Sequence, residues 1–416
     1  MKILHTSDWH LGRRPAGREG EYTRARYEDY FKSVEWIVDE ALKEKVNLLI
    51  VSGDIFDRST IGPDVLYKTE KILRRLKDGG IKVLVVEGNH DYMAKEGQSW
   101  IDYLEKEDYL VKLEVRDEGS GRPRFKSVTI GGMNFYGIQY SPLQIEDYLL
   151  KLSREVKGKN NILILHAGLD DEERIFGCVK SELLDTLRNH FTYVAGGHLH
   201  SFQFYPRNDP FFFIPGSPEY FNLDEREDKR IVIFDPSDVG NYTTRDTFKR
   251  KLVRRRYRYT PDLLEIIERD MRNMGEEIES ALVVVEVKSS YDPNLASRIE
   301  KLVNGFPVLK TIVKIHDEVV DVSVDYRNWS LNRIEIEAIK SWKNIFSRYA
   351  KRVSDTIRNF RQLKDEIENL SRDEMIERAC EELEELVEFI YRSENEGMKN
   401  EDREGQVDKF QEPREG

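Results

Sequence analysis

Cysteine is nearly absent from this sequence. Cys178 and Cys380 are the only two in 416 residues, far apart and in no metal-binding or redox spacing. A disulfide framework and a thiolate metal site are therefore excluded, and two reduced thiols of an intracellular protein are the expectation. No apolar run approaches the roughly 20 residues that a membrane-spanning helix needs. The opening Met1-Lys2-Ile3-Leu4-His5-Thr6 is too short an apolar stretch for a signal peptide. A cytoplasmic protein without a membrane partner is expected. Excess positive charge is missing as well. The net charge of −12 argues against a protein that coats nucleic acid non-specifically, although a local grip stays open. Basic residues cluster in Lys249-Arg250-Lys251 and in Arg254-Arg255-Arg256, followed by Tyr257-Arg258-Tyr259; Arg13, Arg14, Arg18, Arg24 and Arg26 crowd another stretch. Taken alone, each run reads first as a solvated face.

What is present points to two or three domains. Over the first 235 or so residues, short apolar strands alternate with amphipathic helices. Residues 3–6, 48–52, 83–87, 162–165 and 193–195 read as buried strands. Between the first two, Tyr27, Tyr30, Phe31, Val34, Ile37, Val38, Ala41 and Leu42 keep the helical period. A second helix carries Val65, Leu66, Ile72, Leu73 and Leu76 and stops at Gly79-Gly80; Gly131-Gly132 reads as a hairpin turn. This is α/β layering, with strands feeding loops at one sheet edge. The turn-rich 235–241 marks a boundary, giving a first domain over 1–240. Residues 247–325 read as a small α+β domain, with strands at 282–287 and 309–315 and a helix at 261–271. From 331 to 392 the pattern is helical, an αα-hairpin whose first stripe includes Ile339, Trp342, Phe346, Tyr349 and Val353. Residues 393–416 are polar and expected to be disordered.

Five motifs carry the chemistry, each at or just after the end of an expected strand: Asp8-Trp9-His10, Gly53-Asp54-Ile55-Phe56-Asp57, Gly88-Asn89-His90-Asp91, His166 before Ala167-Gly168, and Gly197-His198-Leu199-His200. Loops leaving one sheet edge can converge on one point. Imidazole, carboxylate and amide donors without thiolate suit Mn²⁺, Fe²⁺ or Zn²⁺ rather than a structural zinc. Asp8, His10, Asp54, Asn89, His166, His198 and His200 are too many donors for one ion and about right for two, with a carboxylate bridging a pair about 3.5–4 Å apart. Any one of these motifs alone would pass as a turn or an incidental histidine; the set in this order does not. His5, His190 and His316 lie outside it and read as structural, His5 as a strand residue beneath the site.

These motifs, with the opening His5-Thr6-Ser7-Asp8-Trp9-His10-Leu11-Gly12 and with Pro215-Gly216-Ser217-Pro218-Glu219, resemble the calcineurin-like metallophosphoesterases. Within them the likeness is to the SbcD/Mre-eleven nuclease subunits of DNA double-strand-break repair, and it spans about residues 1 to 235. The resemblance implies a sandwich of two β-sheets flanked by helices, then a capping domain over the DNA, then helices that bind the coiled-coil root of an SMC-like ATPase of the SbcC/Rad-fifty type. It makes Asp8, His10, Asp54 and His200 ligands of one ion and Asp54, Asn89, His166 and His198 ligands of the other, two Mn²⁺ per chain with other divalent ions possible. His90 would contact the scissile phosphate and donate a proton. Asp57 stands where many relatives have a second catalytic histidine. It is read either as orienting the His90 ring through its carboxylate, or as a helix cap or a partner of Arg58. Arg13, Arg14, Arg254, Arg255 and Arg256 are candidate DNA contacts. The implied activity is 3′-to-5′ exonuclease and single-strand endonuclease action on DNA ends, by a nucleoid-associated homodimer. The implied dimer pairs through helices at 62–78 and 97–107, where Trp100, Ile101 and Leu104 offer more apolar surface than one short helix needs, although burial within the monomer explains them equally well. Two other readings compete: a phosphatase or small-molecule phosphodiesterase on the same site, and a DNA-tethering scaffold with a vestigial site.

Overall fold

The computed structural model describes residues 1–15, 20–92, 98–116, 123–172, 175–225, 229–289 and 294–317, with isolated positions 352, 353, 355, 356 and 386. The expected helical hairpin and tail, and Arg18 and Cys380, lie outside the described residues apart from those isolated positions. The chain divides into two units, Met1–Glu318 and Val319–Gly416, and every strand among the described residues lies in the first.

Two six-stranded sheets face each other. The first runs in the order Asp238–Asp246, Arg230–Asp235, Ile3–Thr6, Leu48–Ser52, Lys82–Val86, Val111–Lys112. The second runs Gln203–Tyr205, Phe212–Ile214, Tyr193–Ala195, Asn161–Leu165, Met133–Ile138, Ser127–Ile130. Side chains alternate across a strand, so one continuous apolar run serves two cores. Leu48 and Ile50 join Ile3, Leu84, Phe135, Ile162, Ile164 and Phe213 between the sheets. Leu49 and Val51 point the other way, onto helices Glu21–Lys43 and Pro63–Asp78. The second sheet packs its outer face on Ile145–Glu155 and Ser181–Leu187. Near-continuous apolar strands are what a parallel sheet covered on both faces requires.

The parallel strands fix where the site falls. Ile3–Thr6, Leu48–Ser52 and Lys82–Val86 run parallel in one sheet, as do Asn161–Leu165, Tyr193–Ala195 and Phe212–Ile214 in the other. Asp8, Asp54, Asn89, His166 and His198 all follow the carboxyl ends of such strands, the edge at which open α/β sheets place ligands. Gly131 and Gly132, both at positive φ, turn the expected hairpin.

Three details differ from the sequence reading. The turn at 235–241 lies inside the first sheet, because Arg230–Asp235 and Asp238–Asp246 pair as an antiparallel hairpin. Ile101 and Leu104 are buried in the monomer's own core and Trp100 is packed against it, so they are not spare surface for a dimer. The second region is a β-α-β-α-β unit in which Leu252–Arg258, Leu282–Ser289 and Lys310–Asp317 run parallel. A helix between successive strands is the usual way to return the chain for parallel pairing. Helices Leu263–Met274 and Leu295–Val303 cover one face of that sheet, over Val253, Val283, Val285, Val287, Val313 and Ile315. By strand alternation and register, Arg254, Arg256, Glu286, Lys288, Lys314 and His316 take the opposite face.

Candidate metal centre

The loops that carry the donors are strained. Asp8, His10, Asp54 and His198 sit at φ of 53°, 45°, 51° and 75°, a region non-glycine residues rarely adopt and one that clusters at functional sites. Main-chain bonds hold two of these loops together: Asp8 N–H donates to the Gly53 carbonyl (3.1 Å) and His10 N–H to that of Asp54 (3.0 Å). Two glycines leave the room. A Cβ on Gly53, at φ +92°, would lie 2.0 Å from His166 Nδ1, and one on Gly88 would lie 2.0 Å from Asp54 Oδ1.

Three of the four donor imidazoles are oriented from behind. His166 Nδ1 donates to the Ser52 carbonyl (2.8 Å), His198 Nε2 to the Phe176 carbonyl (2.8 Å), and His200 Nδ1 to Glu225 Oε1 (2.8 Å). With one nitrogen committed as donor, the other presents a lone pair inward. His166 Nε2 faces Asn89 Oδ1 (3.1 Å) and Asp54 Oδ2 (3.5 Å). His198 Nδ1 also faces Asn89 Oδ1, at 3.1 Å. His200 Nε2 faces His10 Nε2 at 3.2 Å, and His10 Nε2 lies 3.8 Å from Asp54 Oδ2. Acceptors aimed at acceptors call for a proton or a cation between them. Asp8 Oδ2 and His10 Nδ1 are buried without a hydrogen-bond partner among the described residues. Donor atoms of Asp8, His10 and His200 lie within 4.8 Å of one another, as do those of Asp8, Asp54 and His166. These oxygens and nitrogens fit divalent ions, and fixed outer hydrogen bonds are what metal-ligating histidines have. Asp54 Oδ2 lies between the two donor groups, while its Oδ1 accepts the His90 N–H (2.9 Å).

The electrostatics reflect the crowding. Burial pushes the Asp8 carboxyl up and His10 well down. It also takes His198 down to about 4, helped by nearby His166. Burial alone would lower His166 too, but the Asp54 and Asp8 carboxylates outweigh it and raise His166 to about 9. In the metal-free protein a proton thus sits on His166, where a cation would otherwise satisfy the same oxygens.

The seven expected donors and His90 are brought together, and of the two readings of Asp57 the structure shows the pair with Arg58 rather than a bond from its carboxylate to the His90 ring. The His90 ring bonds through Nδ1 to the Asp57 main-chain carbonyl at 2.6 Å. The Asp57 carboxylate is engaged by Arg13 at 2.9 Å and Arg58 at 3.5 Å. The Asp57 carboxylate makes no hydrogen bond to the His90 ring, although polar atoms of Asp57, His10 and His90 lie within 4.8 Å of one another. The pair with Asp57 also commits Arg13, whose guanidinium lies 3.2 Å from the Phe221 ring centroid and donates to the Phe221 carbonyl. Arg14 stacks on Tyr27. Arg254 donates to the carbonyls of Leu223 and Glu225, and Arg255 to the Arg254 carbonyl and to Met274 Sδ. Of the five candidate arginines, Arg14 and Arg256 are exposed, the Arg256 side chain 81% so beside Glu286.

Sequence reasoning missed three contributors. Phe221 packs its ring 4.4–4.5 Å from the His200 and His10 centroids and 5.9 Å from that of His90. Glu225 orients His200. Asp91, buried, accepts the main-chain N–H groups of Ile55, Phe56 and Gly88 and so ties the Asp54 loop to the Asn89 loop. Burial and the Asp54 charge push Asp91 up to about 8 against those donors. Asp91 stood within a recognised motif; Phe221 and Glu225 had no motif to mark them.

Residues 1–202 match the calcineurin-like phosphoesterase family. The chain is 32% identical over 231 residues to the DNA double-strand break repair protein Mre11 of Saccharolobus solfataricus, covering 55% of this chain and 57% of that protein. To the Haloferax volcanii protein of the same name it is 27% identical over 306 residues, 72% of this chain and 64% of the relative. To an SbcCD nuclease subunit of Staphylococcus saprophyticus it is 27% identical over 230 residues, 48% of this chain and 56% of the relative. In each case the match leaves more than a third of the relative's own length uncovered.

Proposed function

We propose, from the match of residues 1–202 to the calcineurin-like phosphoesterase family, that this chain is a metal-dependent DNA nuclease that processes DNA ends. The observation that carries the reading is the set of three imidazoles, His166, His198 and His200, each anchored by a hydrogen bond on one nitrogen. The other nitrogen of each is turned toward the oxygens of Asn89 and Asp54 or toward His10. Asp8, His10, Asp54 and His200 would hold one ion and Asp54, Asn89, His166 and His198 the other, two Mn²⁺ in all. When bound, such ions supply Lewis acidity and an acidified water.

The chain's own residues do the rest. His90 is kept by the Asp57 carbonyl with Nδ1 as donor, so Nε2 is the atom available to a phosphate oxygen or a departing sugar oxygen. Phe221 packs against His10, His90 and His200. The names of the relatives favour DNA over a small phosphoester; the activity proposed on it is 3′-to-5′ exonuclease and single-strand endonuclease action. Residues 331–392 would dock an SMC-like coiled-coil ATPase, and two chains would pair as a homodimer. The test is labelled duplex and hairpin DNA with Mn²⁺ beside a generic phosphomonoester. Shortened DNA products and a much slower phosphomonoester reaction are expected; rapid phosphomonoester hydrolysis with intact DNA would make the chain a phosphatase.

A further inference from the structure

The geometry points to Glu225 as the positioning residue of His200, locked in place from the second region by Arg254 and Lys314. This rests on the reading of His200 as a metal ligand. Glu225 Oε1 accepts from His200 Nδ1 (2.8 Å), while Oε2 accepts from the Phe221 N–H (3.0 Å) and from Lys229 Nζ (2.6 Å). Lys229, its side chain fully buried, also donates to the His200 main-chain carbonyl (2.6 Å) and to Ser217 Oγ (3.0 Å). One ion pair therefore holds both the ring and the backbone of this histidine. The loop that carries Glu225 is fixed from the sheet of the second region. Arg254 donates to the carbonyls of Leu223 and Glu225, and Lys314 pairs with Asp224. Arg254 is thus a structural clamp on the metal centre rather than a free cation for DNA phosphates.

The carboxylate has a chemical task that shape alone would not perform. Accepting from Nδ1 leaves the Nε2 lone pair for an ion. In Glu225→Gln the single amide oxygen is claimed by Lys229 and the Phe221 N–H, which turns the NH₂ toward His200 Nδ1. Donor against donor favours the opposite tautomer and puts a proton on Nε2. Size and most of the hydrogen bonds are conserved, so folding is retained.

Mn²⁺ titration of the full chain, followed by electron paramagnetic resonance and calorimetry, tests this without relying on catalysis. Glu225→Gln should weaken one of the two sites about 10–100-fold, the usual cost of losing such an outer partner, at an unchanged melting profile. Arg254→Ala should weaken the same site. Nitrogen NMR of the metal-free wild type should find His200 carrying its proton on Nδ1. Wild-type affinity at both sites in Glu225→Gln, or in Arg254→Ala should the glutamine variant not fold, would overturn the assignment; so would an Nε2-protonated His200. A wild type that binds no Mn²⁺ while His200 is protonated on Nδ1 would instead overturn the metal-centre reading and leave the Glu225–His200 pair standing.

Discussion

At the scale of single residues, His90 and Asp57 give the sharpest expectation. The ring is held by a main-chain carbonyl, which survives any substitution of the Asp57 side chain. Asp57→Asn should therefore leave the pH–rate profile in place, whereas His90→Asn should lower cleavage about 10²–10⁴-fold with metal binding intact. Rate profiles at saturating Mn²⁺ distinguish these; an Asp57→Asn profile displaced to lower pH would return the role to the carboxylate. His166 gives a second expectation. Its value of about 9 stands above the ordinary imidazole value of about 6.5. Its protonation therefore stabilises the metal-free protein fully below about 6.5, and that stability fades as pH rises through 9. Mn²⁺ must displace this proton, so affinity should rise with pH across that window. Calorimetry near pH 8 in buffers of different ionisation heat should reveal proton release, and buffer-independent heats would contradict it. The donors were legible in the sequence because each follows a strand within a short glycine-bearing motif. The roles of Glu225 and Arg254 were not legible, since His200, which Glu225 positions, and the Leu223 and Glu225 carbonyls, which Arg254 clamps, lie 25 or more residues away and only the closed fold pairs them.

At the scale of elements, short apolar runs and the helical period located the strands at 3–6, 48–52, 83–87, 162–165 and 193–195 and the helices Glu21–Lys43 and Pro63–Asp78, because burial on both faces or on one dictates those patterns. Helices Ile145–Glu155 and Ser181–Leu187 and strands Gln203–Tyr205 and Phe212–Ile214 are not among them. The hairpin at 235–238 was misjudged as a boundary because turn chemistry marks every reversal, inside a sheet or between domains. Which elements a charge joins was equally hidden. Arg26, on helix Glu21–Lys43, pairs with Glu219 at 3.1 Å, both buried, and Glu219 also accepts the main-chain N–H groups of Tyr220 and Arg250. Removing one partner strands a buried charge. Arg26→Met should cost about 3–5 kcal/mol in chemical denaturation; a loss below about 1 kcal/mol, the range of exposed pairs, would show that water reaches Glu219.

At the scale of the whole molecule, the donors of the site and the loop that positions them fall inside the unit Met1–Glu318. A chain ending at Glu318 should fold, bind Mn²⁺ and cleave short DNA, while losing association with the proposed ATPase partner; failure of that truncated chain to fold would assign residues 319–416 to its core. The measurement that bears most directly on the central claim is metal stoichiometry under excess Mn²⁺, made beside DNA cleavage for the wild type and for Asp54→Asn. Asp54 stands between both donor groups. The wild type should carry two ions per chain, and Asp54→Asn should lose more activity than loss of His198 or His10 alone. Stoichiometric binding of a single ion with full activity would contradict the two-ion centre.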